Sequence, residues 1–359
     1  MPSRKIAFAS VEAKKQWIID INRKHSDDFQ NNELSRIAFK KQHPTEHISF
    51  LCMDGRIDLS EIIKAIPGIF RTYRHGGAAY DIGWPLFGDD LIDNVRRNAA
   101  EGKITAIWIG LHLASSGIEH RGCKAFGYNL TNDLAFKKNL RDRINYVFGD
   151  SAMVYPFIVA IDTDTKCLVF YSHDTESMFS TNELTDGSIE SISARLMQLY
   201  PDMPASMVAD IAFFVQNNLK VRDEWKSSPV EDDLTHNEFI VGSGKGISFD
   251  WLHELNSALI IGPYKPSDSA IFKVAFNLII DNMKTDKIAN TDFILLLSAI
   301  YDSKIKERQA REQVKYLRDA ALEILNDKDN PPELKELAGK CFPMMVIVDK
   351  HTQLLTVVD

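Results

Sequence analysis

The sequence predicts an α/β protein made of two degenerate copies of one unit with largely parallel sheets, preceded by short N-terminal helices. Between Ile48 and Leu111, apolar runs of strand length alternate with helical patterns, which is the order of a right-handed β-α-β crossover. Pro156-Phe-Ile-Val-Ala-Ile-Asp then returns without a gap as Pro343-Met-Met-Val-Ile-Val-Asp, an offset of 187. At 359 residues the chain also exceeds what a single core usually fills. The expected division is a helical arm over 1–45, a ligand-bearing α/β domain over 46–230 and a degenerate repeat over 231–359.

From Val11 to Gln42, apolar residues at helical spacing (Trp17, Ile18, Ile21, then Leu34, Ile37, Phe39) predict one or two amphipathic helices, interrupted between His25 and Asn32. His47-Ile-Ser-Phe-Leu-Cys52 reads as a strand that must turn at Asp54-Gly55. Leu59 to Ile66 can be a helix stopped by Pro67-Gly68, and Ile69 to Tyr73 a strand before His75-Gly-Gly. Asp89 to Ala100 has helical spacing with acid at its start and Gly102 as its stop. Lys103 to Leu111 is a buried strand, apolar on both faces, and His112 is expected just past its end.

Lys124 to Phe148 is expected to be helical in its later part, and Pro156–Ile161 with Lys166–Tyr171 to form a hairpin. Asn182 to Asp223 reads as helical, Arg222 to Asp233 as a charged linker, and Ser303 to Arg318 as a helix with a solvated face. In the second copy Val241 stands at the position of Cys52, Ser243 at Asp54, Lys245 at Arg56 and Ala299 at His112, so that copy cannot hold a metal.

Composition narrows the partners. The net charge is −8, from 42 Lys and Arg against 50 Asp and Glu, and there is no basic block, which argues against nucleic acid. The first twenty residues are charged throughout and no apolar run reaches membrane length, so no membrane partner is expected. Four scattered cysteines do not make a disulfide framework and favour a reducing compartment, the cytoplasm.

Cys52, His112 and Cys123 fall at the ends of apolar runs, and two thiolates with an imidazole are ligands that suit Zn²⁺ with a fourth position left for water. Arg56 can grip the Asp54 carboxylate by a forked contact, which keeps Asp54 off the metal and lets it accept a proton from the activated water. His120 competes with His112 as the third ligand; His112 is preferred because it follows the strand directly, while His120 lies within a loop. Cys167 and Cys341 read as ordinary core or surface residues, and Gly242-Ser-Gly-Lys-Gly246 lacks the spacing of a phosphate loop. The His-x-Glu with Pro-Cys-x-x-Cys pattern of zinc deaminases is absent.

Cys52-x-Asp54-x-Arg56, followed after a crossover by a His and a Cys, resembles the signature of β-class carbonic anhydrases. Ten residues between His112 and Cys123, where most of that class has two, resemble its divergent carboxysome shell branch, over about residues 45 to 359. The resemblance implies zinc, a hydroxide that attacks CO₂ to give bicarbonate, and a homodimer or higher homo-oligomer. It also makes His120, His75 and Tyr80 candidates for proton relay or for lining the entrance. The branch carries a large helical N-terminal domain, whereas some 45 residues precede the first strand here, which argues against carboxysome association. A non-catalytic zinc scaffold of the same fold is the competing expectation.

Overall fold

The computed structural model describes residues 8–117, 122–149, 153–227, 236–252, 256–264 and 268–359, with backbone alone for 268–271. It is mixed α/β with two mostly parallel sheets. The chain divides into two compact units. One comprises Leu34–Cys52 and Ile57–Leu234; the other comprises Met1–Glu33, Met53–Arg56 and Thr235–Asp359.

The first unit holds a six-stranded sheet of β1 (Glu46–Cys52), β2 (Phe70–His75), β3 (Thr105–Leu113), β4 (Val154–Asp162), β5 (Leu168–Tyr171) and β6 (Met178–Ser180), in the order β2-β1-β3-β4-β5-β6. Strand β1 pairs in parallel with β2 and β3, and β3 with β4. β5 and β6 add on antiparallel, so the expected β4–β5 hairpin is present. Strands β1 and β3 are buried almost end to end, as a parallel sheet covered on both faces requires.

Its helices are α2 (Glu33–Gln42), α3 (Leu59–Ile62), α4 (Pro85–Ala100), α5 (Leu130–Phe148), α6 (Ile189–Leu199) and α7 (Ala205–Ser227). α3 is a single turn, shorter than the Leu59–Ile66 expected, while α4 begins four residues before Asp89. Pro85 sits at its first position, where fixed φ and a missing N–H cost nothing. α7 runs to Ser227, so the segment from Arg222 is helix where a linker was expected. Arg222 is buried, its guanidinium donating to the Thr181 and Leu184 carbonyls, which holds the turn in register. The expected boundary at 230/231 lies outside the described residues.

One core of this unit joins Leu51, Trp108, Phe157 and Phe170 of the sheet to Leu196, Ile211 and Phe214 of α6 and α7. Within it the Trp108 indole N–H donates to His47 Nδ1 at 3.2 Å, while the buried His47 Nε2 has no hydrogen-bond partner. Burial, helped by His43 and Lys40, drives the His47 imidazole from 6.5 down to about 3. The folded state therefore resists protonation that the unfolded chain accepts below about pH 6.5. Stability from this group is complete above that pH and is lost as pH falls toward 3, by up to about 1.4 kcal/mol per pH unit. His47→Phe is expected to reduce the pH dependence by about one proton, read as urea midpoints at neutral and at mildly acidic pH.

The second unit holds β7 (Ile240–Ser243), β8 (Ala258–Ile261), β9 (Phe293–Tyr301), β10 (Cys341–Asp349) and β11 (Leu355–Val358), in the order β8-β7-β9-β10-β11. All pairings are parallel except β10 with β11. Its helices are α1 (Val11–Asn31), α8 (Asp268–Lys284), α9 (Lys304–Leu325) and α10 (Pro332–Ala338). α9 buries Ala310, Val314, Leu317 and Ala321 on one stripe and keeps its charge on the other side.

The N-terminal helices do not form an arm of their own, because α1 belongs to this unit and nearly all of α2 to the other. The interruption expected between His25 and Asn32 falls at Asn32, between α1 and α2, and α1 runs unbroken past His25. His25 and Ser26 lie on its buried stripe, Ser26 Oγ donates to the Thr352 carbonyl, and the Asn22 amide bonds Gln353 and Leu355. The short piece Met53–Arg56 also belongs here. Ile260 N–H donates to Met53 O and Asn256 N–H to Gly55 O, both at 3.1 Å. A Cβ on Gly55 would stand 2.5 Å from the Ala258 carbonyl oxygen, so this approach requires glycine. Among the described residues no helix is long and apolar enough to cross a membrane.

Candidate metal centre

Cys52 is the last residue of β1, and parallel pairing of β1 with β3 brings the ends of these two strands to the same edge of the sheet. His112 lies inside β3 rather than past its end. The β3–β4 ladder continues through the His112–Ile161 pair to Asp162, and Leu113 O accepts from Thr163 N–H. Cys123 sits in a turn that its own carbonyl closes by accepting from Phe126 and Tyr128 N–H. The turn leads into α5, whose N-cap Asn129 accepts from Asn132 N–H.

The donor atoms of Cys52, His112 and Cys123 all lie within 4.8 Å of one another, and all three residues are buried. None of the four cysteines is in a disulfide. The hydrogen bond with Cys52, then burial, push the Cys123 thiol far above its ordinary range. Two thiols packed together in a dry site resist ionisation unless a cation shares it, so these three residues could hold a metal ion. The donor types and separations fit one.

A cavity of about 310 Å³ opens beside the cluster, lined by His112, Cys123 and the start of α5 among others. Its wall after β3 is held by Asp162, whose carboxylate accepts from Ser115 N–H. Asp133 also lines it and is 2 % exposed, with Lys137, 0 % exposed, 3.0 Å behind it one helical turn on. The Lys137 ammonium also donates to the carbonyls of Gly77 and Ala78 and lies over the rings of Phe126 and Phe136. Burial raises the Asp133 carboxyl and the Lys137 ammonium opposes that. Neither residue was foreseen as part of the site. The signal was available, since 133, 137, 140 and 144 share one helical stripe and a charged pair stands on it where Leu140 and Ile144 are apolar.

Asp54 and Arg56 form the forked pair expected of them. Nε donates to Oδ1 at 3.0 Å, Nη2 to Oδ2 at 2.6 Å, and the Arg56 backbone N–H to Oδ1 at 2.9 Å, with both residues buried. His75 is the register neighbour of Cys52 on β2 and is buried. The Tyr80 hydroxyl is buried against the carbonyls of Leu51 and Tyr73, and neither His75 nor Tyr80 lines the cavity. His120 lies outside the described residues. Neither a protein-family model nor a curated protein matches the chain.

Proposed function

We propose that the chain is a zinc-dependent carbonic anhydrase of the β type, catalysing reversible hydration of CO₂ to bicarbonate. The observation that carries this reading is a buried Cys-His-Cys cluster whose first thiol is followed, two and four residues on, by a carboxylate and the arginine that forks it. Soft thiolate and imidazole donors favour zinc over calcium or magnesium. Zinc held there would lower the pKa of a coordinated water from about 15.7 toward about 7, making a nucleophile for CO₂ available near neutral pH.

The chain's own residues do the rest. Cys52, His112 and Cys123 supply three ligands and leave one position to solvent. Asp54 follows Cys52 so closely that its Cα lies within about 7 Å of the ligand's Cα by chain length alone. With both carboxylate oxygens engaged by Arg56, Asp54 is held in one orientation as a proton acceptor and is kept from becoming a fourth ligand. The cavity beside His112 and Cys123 has room for a small neutral substrate.

The two sheets support the reading of a duplicated unit, since five strands recur in one order with one pattern of parallel and antiparallel pairing. Their registers shift the correspondence drawn from sequence. With β4 carried onto β10 at 187, Ile161 meets Val348, whose β9 neighbour is Ile300, so Ile300 rather than Ala299 corresponds to His112. Followed inward on that reading, the same registers set His47 on Ile240 and Phe50 on Ser243, where the ladder ends. Ile300 offers no metal ligand, and the second copy serves as scaffold.

Metal analysis with stopped-flow CO₂ hydration tests the proposal. One zinc per chain and turnover that Cys52→Ala reduces to the uncatalysed background are expected. Zinc binding without hydration at any pH from roughly 6.5 to 9, the range around the lowered water pKa, would sink the enzyme and leave a zinc scaffold.

A further inference from the structure

We infer that Asp133 determines specificity at the metal cavity: its fixed carboxylate keeps anions out and admits a neutral substrate. This rests on the metal reading above and goes beyond it.

The cavity floor would otherwise attract anions. It is lined by two metal-ligating residues and the first turn of α5, whose positive dipole end favours an anion by about two- to fivefold. Asp133 stands on the same wall, 2 % exposed, and its partner Lys137 does not line the cavity. A unit charge within about 8 Å of a bound anion, at an effective dielectric near 20, weakens binding roughly 30-fold; the ammonium about 3 Å further back returns all but about threefold of this, and that remainder offsets the helix end.

Lys137 keeps that charge in place and cancels part of its field at the cavity. Its ammonium is fully buried, does not line the cavity, and divides its donors between Asp133 and the carbonyls of Gly77 and Ala78. The pair is thus a buried dipole with its negative end at the cavity. For CO₂ hydration this favours entrance of the uncharged substrate and departure of bicarbonate.

The test is azide titration of the cobalt-substituted full chain, followed by visible absorption. Asp133→Asn is expected to tighten azide at least about tenfold, since Lys137 then stands uncompensated. Asp133→Asn with Lys137→Met, which removes both buried charges, is expected to tighten it only about threefold. Azide affinity of the cobalt-loaded Asp133→Asn protein within about twofold of the unmodified chain overturns the inference. Should that variant fail to take cobalt, the double variant decides, and unchanged or weaker azide binding there overturns it. Failure of the unmodified chain to bind cobalt overturns it as well. A chain that binds cobalt and responds to Asp133 as expected but hydrates no CO₂ would retire the carbonic anhydrase reading and leave this one standing.

Discussion

Arg56→Ala is expected to cost about 3–5 kcal/mol of stability, because it leaves the Asp54 carboxylate buried without the guanidinium that now meets both of its oxygens. On the proposed function it also lowers CO₂ hydration by about 10²–10⁴, the usual contribution of a positioned proton acceptor. Asp54→Asn offers one acceptor where Arg56 now meets two and leaves the buried guanidinium without its counter-charge, so it is expected to cost stability of the same order and, on the proposed function, to lose comparable activity. Urea denaturation and stopped-flow hydration of both variants are the measurements. An Arg56→Ala protein within about 1 kcal/mol of the parent would mean that the fork does not hold the turn.

Trp108→Ala is expected to destabilise the protein by about 3–5 kcal/mol, the range for deleting a large, wholly buried aromatic side chain. The indole lies 4.9 Å from the Phe157 ring, 5.5 Å from Phe70 and 6.0 Å from Phe170, so its removal opens a cavity that three strands border. It also takes away the one hydrogen bond made by His47 Nδ1, which leaves a second buried polar atom unsatisfied. β3 lies between β1 and β4 in the sheet and carries His112 four residues further on. Metal affinity is therefore expected to fall together with the denaturation midpoint. Trp108→Phe fills most of the space and is expected to lose under about 1.5 kcal/mol beyond the hydrogen bond.

Much of the fold is legible in the sequence where one local signal dominates. The apolar run ending at Cys52, the both-faces-apolar run through Trp108 and the turn Asp162-Thr-Asp-Thr announce β1, β3 and the β4–β5 hairpin without help from neighbours. Errors fall where distant contacts decide. α7 continues to Ser227, past the expected start of a linker, because Arg222 is bound by the turn at Thr181 and Leu184. His112 is inside the strand because the ladder with β4 extends that far, which no property of residues 105–113 alone announces.

The site divides along the same line. By itself the sequence determined the candidate donors and the fork: two cysteines and a histidine near the ends of apolar runs, and a carboxylate and a guanidinium spaced to meet across one turn. Those follow from residue chemistry and from contacts too short in sequence to be arranged otherwise. Only the tertiary structure decided that three donors separated by up to 71 positions of chain, from 52 to 123, meet within 4.8 Å, because strand order sets that distance. It likewise decided that Asp133 and Lys137 turn inward beside them. A charged pair on a helix is ordinarily solvated, and it comes to line this cavity only because the helix face carrying it is laid against the sheet edge near the three candidate donors.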